Sequence, residues 1–289
     1  MSTPRTTTKA TTGTSRTAVA VPPTTAPATM AQASLYQQLR SHLATLKLLD
    51  AAEHLPAVLD AAVAEGLSIT AALERLLGIE VDATQARRLA SRLRFACLPS
   101  PATLEDFDYD AQPDVDPRLI ADLASCRYLE SATNVLMIGA PGVGKTHLAV
   151  GLARKAAEAG YRTYVTTAAD LAARCHRAAI EGRWATTMRF YAGPTLLVVD
   201  ELGYLPLPAE GASALFQVIA QRYTKTSTIL TTNRPITSWG EVLGDTTVAA
   251  ALLDRLLHRS VVIDIGGDSY RLRDHQARTH TLRAAATHV

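Results

Sequence analysis

The sequence predicts an α/β protein: a parallel sheet flanked by helices, preceded by a small all-helical domain and a disordered amino-terminal tail. Three features of the 289 residues point there. From Asn134 onward, apolar runs of strand length alternate with helix-length segments, the order that builds a parallel sheet covered on both faces. From Leu35 to about Pro99, apolar residues recur at helical spacing. Before them Thr, Ala and Pro dominate and the first acidic residue is Asp50, a composition that cannot bury enough apolar surface to offset chain entropy.

Taken in order, residues 1–33 are the expected tail, whose acid-free start loosely resembles an organellar transit peptide but lacks the leucine-rich core of a secretory signal. Residues 34–98 form the helical domain, with Leu39, Leu43 and Leu46, then Leu55, Leu59 and Val63, then Leu73, Leu76 and Leu77 on its apolar faces. Its last helix carries Arg87, Arg88, Arg92 and Arg94 opposite Leu89 and Leu93, a face that either meets phosphates or is solvated. Prolines and aspartates in LPSPATLEDFDYDAQPDVDP mark 99–116 as a linker. The remainder, 117–289, is the α/β domain, with strands expected at 135–138, 162–166, 196–200, 228–231 and 261–265 and helices at 146–159, 170–181 and 211–224. Unbroken apolar runs such as VLMI and LLVV are those of strands buried on both faces.

Composition narrows the function. An apolar fraction of 47% is ample for a buried core, and a net charge of +2 does not by itself announce a nucleic-acid partner. No apolar run is long enough to span a bilayer, so no membrane partner is expected. Cys97, Cys126 and Cys175 are odd in number, far apart and without histidines at metal-ligand spacing, which argues against zinc and disulfides and for a reducing, cytoplasmic setting.

Chemistry concentrates in the α/β domain. The stretch GAPGVGKT fits the phosphate-loop pattern GxxxxGK[ST] between a strand and a helix, so Gly139, Ala140, Pro141, Gly142, Val143, Gly144, Lys145, Thr146 and His147 are the candidate ATP-contacting residues. Its glycines let backbone N–H groups face phosphate oxygens, Lys145 neutralises the β and γ phosphates, and the Thr146 hydroxyl holds Mg²⁺. The imidazoles of His147 and His258 are read as helix-face packing. In TLLVVDE, Asp200 ends a central strand where it can hold Mg²⁺, and Glu201 beside it can activate water, which hydrolysis needs and a kinase must avoid. Asn233 ends the next strand and can contact the same water or the γ phosphate, though an Asn there is also ordinary loop chemistry. Arg255 either reaches a neighbouring subunit's nucleotide, stabilising transition-state charge, or pairs with Asp254 or Asp264 in its own chain. Loop, DE pair and strand-end Asn, in that order, resemble a P-loop NTPase core of the AAA+ class.

The stretches NVLMIGAPGVGKTHLA, LLVVDELGYLPL, STILTTNRP, LLDRLLHRSVVIDI and DSYRLRD further resemble the IstB-like ATP-binding proteins, helper ATPases encoded beside transposases and similar to the DnaC helicase loaders. The resemblance runs from about Leu35 to Arg273. It implies an ATP-dependent homo-oligomer that encloses and deforms duplex DNA, selects a target site and stimulates a partner transposase. It also implies a DNA-facing helical insert before the DE strand, here carrying Arg174, Arg177 and Arg183, whose contacts with duplex phosphates are expected to be salt-dependent and sequence-tolerant. A solvated helix face is the alternative for these arginines. Too few residues follow Ile265 for a separate nucleotide-clamping lid, a place Arg271 and Arg273 can partly fill. A helicase loader, a small-molecule P-loop kinase and an ATP-gated scaffold with little turnover are the rival readings.

Overall fold

The structure, a computed structural model, describes residues 28–204 and 207–271. The expected tail up to residue 27, and Arg273, lie outside the described residues. The chain separates into two compact units, the first ending at Ala83 and the second beginning at Thr84.

The first unit holds α1 (Ala28–Thr45), α2 (Leu49–Glu65) and the amino-terminal part of α3 (Ile69–Ala96). Residues 28–33, expected in the tail, are helical. Leu43, Ala51, Ala52, Leu55, Val58 and Leu76 make a small core. Glu80, buried on α3, accepts a hydrogen bond from the Ala51 backbone N–H at 3.0 Å and so caps the start of α2.

The second unit begins inside α3 rather than at residue 99, because the end of that helix is tied to the α/β domain. Arg92 Nε donates to the Ala157 carbonyl (2.8 Å), and Phe95 packs 5.7 Å from Tyr164 and 6.1 Å from Phe190, with the Arg162 guanidinium 4.4 Å from its ring centre. Arg92 is thus half-buried against the α/β domain rather than on a freely solvated face. There follow α4 (Pro117–Ala124), α5 (Arg127–Glu130), β1 (Asn134–Gly139), α6 (Lys145–Glu158), β2 (Thr163–Thr167), α7 (Ala168–Ile180), α8 (Trp184–Ala192), β3 (Leu196–Leu202), α9 (Ala209–Arg222), β4 (Ser227–Thr232), α10 (Trp239–Leu243), α11 (Thr246–Leu257) and β5 (Ser260–Ile265). The five strands are parallel, in the order β2-β3-β4-β1-β5.

The continuous apolar runs are explained by two cores. Met137, Leu196, Val198 and Ile229 face Leu148, Leu152 and Ala156 of α6, while Leu136, Leu197, Val199 and Leu230 face α7, α9 and α11 on the other side. Period-2 alternation sends successive residues to opposite faces, and both are covered. No helix among the described residues is long and apolar enough to cross a membrane, and no group of three His, Cys, Asp or Glu suits a metal. The three cysteines are unpaired.

Residues 99–116 do not form a linker. Leu104, Phe107 and Val115 are buried in the α6-side core, and the aspartates between them face solvent. Thr103 O lies 2.7 Å from His147 Nε2, Ala102 O accepts from Arg154 Nε (3.2 Å), and Glu105 pairs with Lys155 at 2.6 Å. Gly151 admits Leu104, since a Cβ there would lie 2.6 Å from Leu104 Cδ2. The segment is a strap bound along the outer face of α6.

Candidate functional site

The loop between β1 and α6 is shaped by its glycines. Gly142 and Gly144 have φ of 87° and 97°, a region open to glycine and costly for other residues. Each is also approached closely: a Cβ on Gly142 would lie 2.1 Å from Ser269 Oγ, and one on Gly144 2.6 Å from Phe107 Cε2. The segment after β5 is laid on the loop, with Tyr270 N donating to Gly142 O at 3.1 Å and Gln112 Nε2 donating to Asp268 O at 3.1 Å. Lys145, the first residue of α6, is buried, and its ammonium donates to the carbonyls of Gly139 and Ala140, both at 2.8 Å. Burial pulls its pKa below the ordinary lysine value; the nearby Asp200 carboxylate opposes this and the Arg271 charge adds to it.

Beside the loop, Thr146 Oγ1 donates to the buried Asp200 carboxylate at 3.0 and 3.1 Å. The Thr231 hydroxyl donates to Asp200 Oδ1 as well, and accepts from the Glu201 backbone N–H at 3.0 Å. Glu201 has φ of 61°, the left-handed region that costs a side-chain-bearing residue about 1–2 kcal/mol. The β3–β4 register breaks there, between Val199 and Leu202. Asn233, just past β4, has its carboxamide oxygen buried with no hydrogen-bond partner among the described residues.

Two cavities meet at Gly142, Lys145, Thr146 and Arg271. The larger, about 440 Å³, runs from the loop along the strap and is walled by Phe107, Gln112 and Tyr270. Its size suits a nucleotide-sized ligand. The smaller, about 60 Å³, gathers Lys145, Thr146, Glu201, Thr231, Asn233 and Arg271. The geometry is a phosphate cradle ending in a carboxylate pair, with the Asn233 amide and the Arg271 guanidinium in its lining.

Comparison with known proteins gives this cradle a family. The model of the IstB-like ATP binding proteins matches residues 41–278. The chain belongs to that family. A protein described as the ATP-binding protein of insertion sequence IS5376, from Geobacillus stearothermophilus, is 42% identical over 223 residues, covering 77% of this chain and 89% of its own. The corresponding protein of IS232 from Bacillus thuringiensis subsp. berliner is 40% identical over 240 residues, covering 83% and 96%. Among solved structures, a crystal structure of the DnaC helicase loader is 25% identical with a TM-score of 0.45, covering 51% of this chain and 86% of that one. Family membership and the phosphate loop make this IstB-like chain an ATPase with an AAA+ core.

Of the residues singled out from sequence, the small cavity brings together Pro141, Gly142, Lys145, Thr146, Glu201 and Asn233, with Asp200 bonded to Thr146 at its edge. The His147 ring packs edge-on to Phe107, 5.6 Å away. Arg255 lines neither cavity: its guanidinium donates to Ala251 O (2.7 Å) and lies 4.9 Å from the Phe216 ring centre, and no ion pair to Asp254 or Asp264 forms. The insert arginines line a separate cleft between α7, α8 and β2. There Arg174 stacks on Phe190 (4.1 Å) and donates to the Tyr164 hydroxyl (3.3 Å), Arg183 pairs with Glu181, and the Arg177 side chain makes no hydrogen bond or ion pair among the described residues.

Three residues of consequence are not evident from the sequence. Phe107 reads as part of a linker, and only its place between two solvent-facing aspartates hints at burial. Thr231 is signalled only by standing on β4 two residues before Asn233. Arg222 is 1% exposed without a carboxylate partner among the described residues, donating to the carbonyls of Tyr191, Pro194, Thr195 and Ser227 and to Thr228 Oγ1, and burial lowers its pKa. Nothing in the sequence around it separates it from a surface arginine.

Proposed function

We propose that the chain is a cytoplasmic ATP-hydrolysing helper of transposition that assembles with itself on duplex DNA, selects or remodels the target and stimulates a transposase of the same mobile element. The observation that carries the hydrolytic part is the convergence of Lys145, Thr146, Glu201 and Asn233 on one small cavity at the end of the phosphate loop. The transposition part is supported by the insertion-sequence origin of the relatives.

The residues fit a magnesium nucleotide. Thr146 Oγ1 and the Asp200 carboxylate form an oxygen-only donor set beside Lys145, which is what Mg²⁺ takes, and the buried Asn233 oxygen lacks a partner among the described residues. In this reading Thr146 and Asp200 hold Mg²⁺, which when bound draws charge from the phosphate oxygens. Lys145 and the loop N–H groups hold the β and γ phosphates. Glu201 accepts the proton of the attacking water, and Asn233 orients that water or the γ phosphate. Arg271 faces the same phosphate from within the chain, and Arg255 acts on the nucleotide of a neighbouring copy. Arg174, Arg177 and Arg183 meet the DNA backbone, with Arg174 held ready by its aromatic stack.

The test is ATP turnover with and without long duplex DNA at two salt concentrations, comparing the native chain with Glu201→Gln. Duplex stimulation that weakens with salt, together with a Glu201→Gln protein that binds DNA in ATP but does not hydrolyse it, is the expected result. Stimulation by single strands alone, or by a small-molecule acceptor, replaces this reading with a loader or a kinase.

A further inference from the structure

The β3–β4 ladder pairs Leu196 with Ser227 and continues to Val199 with Leu230, then resumes only at Leu202 with Thr232. Asp200 and Glu201 thus stand opposite the single residue Thr231, the two-against-one arrangement of a β-bulge. A bulge leaves backbone groups without their ladder partners, and an unpaired N–H away from water is costly. Here the Glu201 N–H is taken up by the Thr231 hydroxyl at 3.0 Å. The same hydroxyl spends its one proton on Asp200 Oδ1, so one buried oxygen ties together both carboxylate residues.

Glu201 sits at φ of 61°, a backbone state that persists only where its surroundings hold it. Thr231, 1% exposed and β-branched, is the side chain that does so: its hydroxyl position is set by a single restricted torsion inside a packed sheet. We propose that Thr231 is a positioning residue, whose hydroxyl fixes the bulge and thereby aims the Glu201 carboxylate into the cavity shared with Lys145, Thr146 and Asn233. Valine at this place keeps the shape and the stiffness and loses both hydrogen bonds; serine keeps the hydroxyl. The proposal rests on reading Glu201 as the residue that activates water.

The experiment compares Thr231→Val and Thr231→Ser in the full chain, each with and without Glu201→Gln. It reads kcat and KM for ATP, the affinities of fluorescent ATP and ADP analogues, and hydrogen exchange at the Glu201 amide. With Thr231→Val, kcat is expected to fall about 10²-fold, the scale of a misplaced catalytic group, while nucleotide affinities hold. The Glu201 amide then exchanges faster, Thr231→Ser restores both readouts, and on the Glu201→Gln background Thr231→Val costs nothing further. Native kcat in Thr231→Val, a serine variant as impaired as the valine one, or an additive loss on the Glu201→Gln background each overturns the proposal. If Thr231→Val does not fold, Thr231→Ala takes its place with the same expected results. If the native chain binds ATP without hydrolysing it, the reading of Glu201 fails, and amide exchange alone still decides whether Thr231 holds the bulge.

Discussion

Replacing Arg222 with Met is expected to destabilise the α/β unit although the residue is far from any expected chemistry. Its guanidinium is the hydrogen-bond donor for the carbonyls of Tyr191, Pro194 and Ser227, which close the turn from α8 into β3 and the start of β4. The Thr195 carbonyl has a second donor in Ser227 N at 3.1 Å, and the Ser227 carbonyl keeps its place in the ladder with β3, so neither is orphaned. Two buried carbonyls, those of Tyr191 and Pro194, are therefore left unpaired, at about 1 kcal/mol each. The low end of the range applies because removing a buried charge relieves a desolvation cost, so the net loss is about 2 kcal/mol. For a unit of this size that is about 4–8 °C in Tm. Arg222→Lys is expected to be no better, since it keeps the buried charge and loses the planar fork that reaches several carbonyls at once. Thermal unfolding followed by tryptophan fluorescence is the assay, because Trp239 is fully buried in the same core as Tyr191. An Arg222→Met protein melting within about 2 °C of the native chain refutes the reasoning, since it corresponds to less than about 1 kcal/mol.

Other outcomes follow from the site. Gly142→Ala combines a φ of 87° with a Cβ 2.1 Å from Ser269 Oγ, and ATP affinity is expected to drop about tenfold or more. Gly66→Ala, at φ of 65° but with open space around it, should weaken the first unit and leave ATP affinity alone; equal effects on ATP binding count against the loop geometry. For Lys145 the folded pKa is lowered chiefly by burial, so the neutral form gains as pH rises toward the ordinary lysine value. ATP affinity should fall through that window, whereas the nucleotide-free chain gains stability there, because folding favours the neutral amine. An ATP affinity unchanged across it, measured by titration calorimetry, argues against phosphate contact by this ammonium. Arg271→Ala is expected to weaken ATP about tenfold while sparing ADP, one charge-assisted hydrogen bond from a residue that lines the small cavity with Glu201 and Asn233. Equal loss for both nucleotides in a fluorescence titration assigns Arg271 elsewhere.

The sequence by itself determined what local rules encode. GAPGVGKT specifies its loop because the backbone states at Gly142 and Gly144 and the lysine at the helix start are properties of consecutive residues. The five strands were legible because burial on both faces leaves unbroken apolar runs such as LLVV. Prolines and aspartates at 99–116 signalled an irregular backbone, and the backbone is irregular. That Leu104 and Phe107 would clamp it to α6 was not legible, since burial there depends on Gly151 and Gly144, far along the chain, leaving room. Likewise Arg222 reads as a helix-end cation until the sheet surrounds it with carbonyls. Asp200 and Glu201 were visible as a pair, but the bulge that turns one toward Thr146 and gives the other its left-handed backbone arises from register against β4. Only tertiary structure decided which residues hold the site in shape, because the partners that hold it are distant in sequence and their contacts depend on sub-ångström fit.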